Sequence, residues 1–300
     1  MSLDSELVKA SKALGKDATL LERKLALHYK HSLKAVQDQL KDIYLKYSKG
    51  GALTYTEMAK YGRLQILEKN VRAELIKVTG VAQRETLKGV KGLYSQSYYR
   101  TAFAIEKTTQ AKLSYGLLSP KTIERAVENP LIHLSQRGIR DNMLIKVNST
   151  ITQGLIQGKS WYETAKGIKK TMNEGAYKSI RIARTEGHRA QQGGRLDSGT
   201  HAASKGIKML KVWDATLDQV TRDAHQDLDG TKIKVDEDFI SDNGGRGPAP
   251  GYMGEASDDI NCRCQLRYEI EDFEPTVRGA KEEGPIPYKT YNEYAKEKGW

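Results

Sequence analysis

Residues 207–218 read Ile207-Lys208-Met209-Leu210-Lys211-Val212-Trp213-Asp214-Ala215-Thr216-Leu217-Asp218, and here the hydrophobic period of the chain changes. Before about Ser204 the apolar residues recur three and four positions apart, as on helices. From Ile207 to Ala215 they alternate, as on a strand. Lys232–Val235 is again β-like, and Gln265–Ile270 puts Leu266, Tyr268 and Ile270 on one face. A small antiparallel sheet packed on the preceding helix, roughly 176–204, is the economical arrangement. The predicted fold class is therefore α+β: a long helical N-terminal half, a hairpin or bundle, followed by a small α+β domain with an antiparallel sheet. Between the strands, Gly244-Gly245-Arg246-Gly247-Pro248-Ala249-Pro250-Gly251 is expected to form an exposed loop without regular structure.

Outward from this point, the N-terminal half is read as a series of helices. Tyr29, Leu33, Val36, Leu40, Ile43 and Tyr47 form a heptad seam, and Lys49-Gly50-Gly51 ends it. Thr54 with Glu57 predicts a capping box opening a second helix, whose stripe is Leu64, Leu67, Val71, Leu75 and Val78. Thr79-Gly80 is expected to end that helix, and a third runs from about Val81 to Lys112. Ser119-Pro120 opens a short helix, and Asn129-Pro130 is expected to close it. A helix over about 139–156 follows. Ser160 with Glu163 then caps one running to about Met172.

Composition narrows the partners. The net charge is +11, and residues 1–115 alone carry 21 Lys and Arg against 11 Asp and Glu, a local +10. One such helix face is ordinarily just solvated; an excess held over a hundred residues would draw the region to a polyanion such as DNA or to an acidic protein wall. No sequence-reading motif accompanies it, so DNA contact is expected to ignore sequence. Mean hydropathy is −0.64, and sixteen Tyr stand against three Phe and three Trp, a balance suited to half-buried helices. No apolar run reaches the ~18 residues of a membrane helix, and no signal-peptide core follows Met1, so no membrane partner is expected. The two cysteines, two residues apart, cannot form an unstrained disulfide; a reducing compartment is expected.

Residues able to carry chemistry lie in the last third. Arg184 and His188 share a helix face, with Thr185, Glu186 and Arg189 beside them. A carboxylate by a basic pair would suit a nucleotide-binding transferase, but no nucleophile–base pair or phosphate loop accompanies it. The structural reading is preferred: Arg184 and Glu186 tie their helix to the sheet or to the loop after Trp213. Asp218 is expected to accept backbone N–H groups where the 221–228 helix begins, next to Arg222. Asp229-Gly230 should close that helix and turn into the next strand. Cys262 and Cys264 should point to one side, with His225 and Asp259 near in sequence. Two readings are open, ordinary packing of small buried thiols or a tetrahedral zinc site.

Ala183-Arg184-Thr185-Glu186, Trp213-Asp214-Ala215-Thr216-Leu217-Asp218, Thr221-Arg222-Asp223-Ala224-His225, Leu228-Asp229-Gly230 and Asn261-Cys262-Arg263-Cys264 occur in this order within one small domain's length. Together they resemble the phage head-morphogenesis family, the Mu F-like minor head proteins. The resemblance is close over roughly 150–270 and one of general character before that. It marks Arg184, Thr185, Glu186, Asp218, Arg222, Asp229, Gly230 and Arg263 as structural motif residues. Many members carry Cys where this chain has His225, and His where it has Asp259. Such exchange of ligand types is what a metal site permits, so the set His225, Asp259, Cys262 and Cys264 is a candidate zinc site.

The resemblance implies a minor head protein with no catalysis of its own, acting in head morphogenesis, DNA packaging or DNA ejection. Its expected partners are the portal and capsid or scaffold proteins, with sequence-independent DNA contact. Its expected place is the capsid interior near the portal, after assembly in the host cytoplasm. The alternatives are a toxin-like nuclease or transferase and a free-standing DNA-binding protein. The expected segments are a basic helical region 1–115, a helical connector 116–175, the Mu F-like α+β module 176–272 and a tail 273–300. From Phe273 onward only 28 residues remain, too few for a separate catalytic domain. This tail, with Pro275, Pro285 and Pro287, is expected to become ordered on a partner.

Overall fold

The computed structural model describes residues 3–48, 50, 52–271, 277–280 and 284–299. Lys49, Gly51, Phe273 and Pro275, invoked above, lie outside them. In chain order the helices of the first two thirds are α1 (Leu3–Tyr47), α2 (Tyr55–Ala59) with a 3-10 turn over Lys60–Gly62, α3 (Arg63–Thr109), α4 (Pro120–Ala126), α5 (Pro130–Ile156) and α6 (Trp161–Ser204). Then come β1 (Met209–Asp214), α7 (Asp223–Asp227), β2 (Lys232–Lys234), β3 (Phe239–Ile240) and β4 (Arg246–Gly247). The chain continues with α8 (Ala256–Asp259), β5 (Gln265–Ile270), β6 (Val277–Ala280), β7 (Gly284–Pro287) and α9 (Tyr291–Lys298). The α+β class is observed, with a long helical half and a small antiparallel sheet.

Two compact units form, one from residues 20–87 and 129–183, the other from 1–19, 88–128 and 184–300. They interleave along the chain and cut across the four consecutive segments expected from sequence. The first unit is helical. Its core takes Tyr29, Val36, Leu40 and Tyr44 from α1 and Leu64, Leu67, Val71, Leu75 and Val78 from α3, all buried. Ile139, Val147 and Ile151 of α5 and Ile168 and Met172 of α6 complete it.

Several expected helix boundaries move. The helix opened by Thr54 breaks at Lys60–Gly62, so the Leu64–Val78 stripe lies on α3 rather than on the helix Thr54 caps. Thr79-Gly80 does not interrupt α3, because the Thr79 hydroxyl donates to the Leu75 carbonyl at 2.8 Å while Val78 and Ala82 remain in the core. Asn129-Pro130 opens α5 nine residues earlier than expected: the Asn129 side chain accepts from Leu131 N–H at 3.0 Å and Pro130 takes the first turn. The segments on either side of Gly175 are one helix, α6, with Gly175 packed under Met143. Ser160 and Glu163 make the expected capping box.

In the other unit the sheet order is β2-β1-β5, wholly antiparallel. Val212, Trp213, Leu266 and Tyr268 are buried, and α6 lies on β5. There Arg195 donates to the Leu266 carbonyl at 2.8 Å, and the Gln192 side-chain oxygen accepts from Leu266 N–H at 2.8 Å. A Cβ on Gly199 would fall 2.1 Å from the Tyr268 ring, so only glycine permits this approach.

Two expectations are corrected here. The Gly-Pro stretch 244–251 is not an exposed loop: it contains β4, paired with β3, and Ala249, Pro250 and Gly251 are buried. The reason is Lys211 on β1, buried and donating through Nζ to the carbonyls of Glu237 and Pro248 at 2.5 and 2.9 Å, which draws that backbone over the sheet. The described part of the tail is likewise folded on its own chain. Ile286, Tyr291 and Tyr294 join this unit's core, and Arg278 is fully buried among carboxylates.

Candidate functional site

Two arginines reaching in opposite directions build the site. Arg222, at the N-terminal cap of α7, donates to the carbonyls of Asp258 (3.2 Å) and Ile260. Arg263 returns from the far side to grip both carboxylate oxygens of Asp218. Burial alone would raise the Asp218 carboxyl, but the Arg263 guanidinium, Thr221 hydroxyl and Val220 N–H hold it below the usual carboxylate value. Asp218 thus orders the entrance to α7, as expected. Thr185 Oγ1 accepts from Asn261 N–H at 3.2 Å, tying α6 to the same stretch. Glu186 pairs with Arg189 on its own helix at 3.5 Å.

Clamped this way, α7 sets His225 against the thiols. Cys262 and Cys264 lie just before β5 rather than on it, yet both turn inward. His225 Nδ1 lies 3.9 Å from Cys262 Sγ and 3.4 Å from Cys264 Sγ, all three side chains being buried. The three donor atoms lie within 4.8 Å of one another. Asp259 is not brought to them. Its two oxygens accept from Met253 and Gly254 N–H at 2.9 and 3.0 Å, where they fold the turn before α8. Its neighbour Asp258, fully buried, sets Oδ1 3.4 Å from His225 Nε2 and takes Asn243 Nδ2 at 2.8 Å. Successive residues on a helical turn point about 100° apart, so the one-residue difference exchanges the roles of the two carboxylates. The signal available in sequence was the Asp258-Asp259 pair itself.

The thiols share charge unequally. The Cys264 thiol donates to Cys262 and lowers its pKa, against burial, with Arg222 adding to the effect. Burial and that same neighbour push Cys264 well above the ordinary thiol value. Cys262, Cys264 and His225 line a cleft of about 380 Å³, together with Arg184, Thr216, Thr221 and Asn261.

Asp229 does more than close α7. One oxygen accepts Ala215 N–H at 2.7 Å, the other Tyr291 N–H at 2.6 Å, and both accept Arg278 at 3.0 Å. Gly230, at φ +76, donates its N–H to the Trp213 carbonyl at 2.9 Å and makes the expected turn into β2.

The family model described as Phage Mu protein F like protein matches residues 145–267. The chain is 36% identical over 292 residues to the minor head protein GP7 of Bacillus phage SPP1, covering 93% of each chain. It therefore belongs to the phage minor head protein family. It is also 30% identical over 272 residues to the NAD(+)--arginine ADP-ribosyltransferase EFV of Enterococcus faecalis, covering 89% of this chain and 55% of that protein. No solved structure matches.

Proposed function

We propose that this protein is built into the phage head as a minor component, inside the shell near the portal, and serves assembly, DNA packaging or DNA ejection. The observation that carries this is the end-to-end similarity to a minor head protein, 93% of each chain. Purified procapsids should contain the protein in a few copies per head, and its absence from heads would overturn the reading. The basic charge of residues 1–115 supports contact with packaged DNA or with an acidic protein wall.

Within the module, His225, Cys262 and Cys264 hold a zinc ion. Tetrahedral zinc with bonds of about 2.3 Å to sulfur and 2.0–2.1 Å to nitrogen separates N from S by roughly 3.5 Å. The separations of 3.4 and 3.9 Å bracket that value. Asp258 beside Nε2 favours the tautomer that leaves the Nδ1 lone pair for metal, the usual outer-shell arrangement. Asp259 belongs to the turn instead, so the described chain supplies three ligands. The ion would fasten α7 to β5 and add its binding energy to folding. Chelator and Cys262→Ser should each lower the melting temperature of residues 184–271. Metal-free protein as purified, with no chelator effect, would leave simple packing of the thiols.

The second relative favours one rival reading, an arginine-directed transferase. The chain spans about half of that relative. We expect no transfer of ADP-ribose from NAD+ to an arginine-containing acceptor. Transfer abolished by Glu186→Ala would establish the rival.

A further inference from the structure

One end of the helical unit combines exposed apolar side chains, a strained aromatic and a surplus of exposed lysines. The end is assembled from the C-terminus of α1, the 55–66 segment and the α5–α6 turn. Tyr44 OH donates to the Lys159 carbonyl at 3.0 Å, joining the first to the third. The Arg63 guanidinium stacks 3.9 Å from the Tyr47 ring and 5.2 Å from the Tyr61 ring, joining the first to the second. Leu45 (73% exposed), Tyr61 (87%), Ile66, Ile156, Trp161 and Tyr162, all on these three segments, are exposed.

Tyr61 is held at φ 54, ψ 24, a left-handed conformation costing a non-glycine residue roughly 1–2 kcal/mol. Burial of its ring does not offset that cost. The aromatic is held out in water by its backbone and by Arg63. Such outliers point to function when packing does not explain them. Lys46, Lys159 and Lys166 are exposed, and of the three Lys159 acts on a carboxylate at this end, helping the Ser160 hydrogen bonds to hold Glu163 below its ordinary value. Glu57 is engaged with Lys60 and Arg63. Aromatic and aliphatic anchors rimmed by a surplus of cations over carboxylates make the composition of a protein-binding surface whose complement is acidic.

We infer that this end of the helical unit docks on a protein of the head that offers apolar pockets within an acidic surface. The inference rests on the head-protein reading. Its test uses the full chain, expressed with the other head proteins, with copies counted in purified heads. Tyr61→Gly removes the ring and relieves the backbone, so the variant should melt no lower than wild type. Its copy number in heads should still fall about tenfold, as for loss of an anchor residue. Lys46→Glu with Lys159→Glu and Lys166→Glu should lower incorporation comparably, whereas Ile240→Ser, exposed elsewhere, should not.

Wild-type protein missing from heads sinks the head-protein reading itself. Wild type present together with undiminished Tyr61→Gly overturns the docking inference alone. If the lysine reversals weaken binding to random duplex DNA while Tyr61→Gly incorporates normally, the surface is for nucleic acid and the inference fails. Wild-type self-association in sedimentation that Tyr61→Gly abolishes would make a second copy the occupant, and would equally overturn it.

Discussion

Asp229 accepts two backbone N–H groups and both arms of Arg278, a guanidinium with no exposure to solvent. Removing one partner of a buried pair strands the other charge, which costs far more than the pair contributes. Asp229→Ala should lower stability by about 3–5 kcal/mol, read as a shifted denaturant midpoint. A loss under about 1 kcal/mol would mean Asp214, 2.8 Å from Arg278, is enough to hold it. His188 makes a different case. Burial first, and Arg195 second, depress it from 6.5 to about 3, and its Nε2 has no hydrogen-bond partner. The folded state refuses a proton that the unfolded chain takes up below about pH 6.5. Stability from this residue is therefore complete above that pH and lost as pH falls toward 3. Between pH 6.5 and 5 the loss should approach about 1.4 kcal/mol per pH unit. In His188→Gln the slope should flatten over that window; an unchanged slope assigns it to other groups.

At the scale of elements, glycines inside helices separate local preference from packing. Gly92 in α3 has open space where a Cβ would go, whereas on Gly194 in α6 a Cβ would lie 2.3 Å from the Tyr94 carbonyl oxygen. Gly92→Ala should stabilise by about 0.5–1 kcal/mol through helix propensity. Gly194→Ala gains the same propensity but must push the α3 and α6 backbones apart, and should destabilise by about 1–3 kcal/mol. Equal effects in thermal melts would show that the helices do not meet at Gly194. These pairs also show what was legible. The stripe Leu64 to Val78 and the alternation Leu266, Tyr268, Ile270 placed their elements, because burial imposes a period on sequence. Thr79-Gly80 and Gly175 did not reveal themselves as mid-helix, because their neighbours across the core are distant in sequence.

For the whole molecule, the excess of positive charge predicts duplex binding indifferent to sequence and falling steeply with salt, through counterion release. Filter binding of the full chain to two unrelated duplexes at low and moderate salt checks it; a strong preference for one duplex would refute it. The candidate site was legible to the extent that chemistry is local. Cys262, Cys264 and His225 were found by type and order, and the structure gathers them. The role of Asp258 against Asp259 was not legible, since it depends on which side of a single helical turn faces His225. The folded tail escaped notice because Arg278 lies 49 residues from Asp229, and farther still from Asp214.

The two units also differ in what they bury. Every buried charged side chain among the described residues, including Asp4, Arg195, Lys211, Asp258, Arg267 and Arg278, belongs to the unit holding the sheet. The helical unit buries only uncharged polar groups such as Ser32, Gln136 and Ser179. Exposing apolar surface raises heat capacity, while exposing polar surface lowers it. The sheet-bearing unit should therefore have the flatter stability curve, losing less protection per degree on either side of its maximum. Amide exchange followed from cold to warm would register this as slowly varying opening energies at Val212 and Leu266. Those at Val71 and Val147 should bend more sharply.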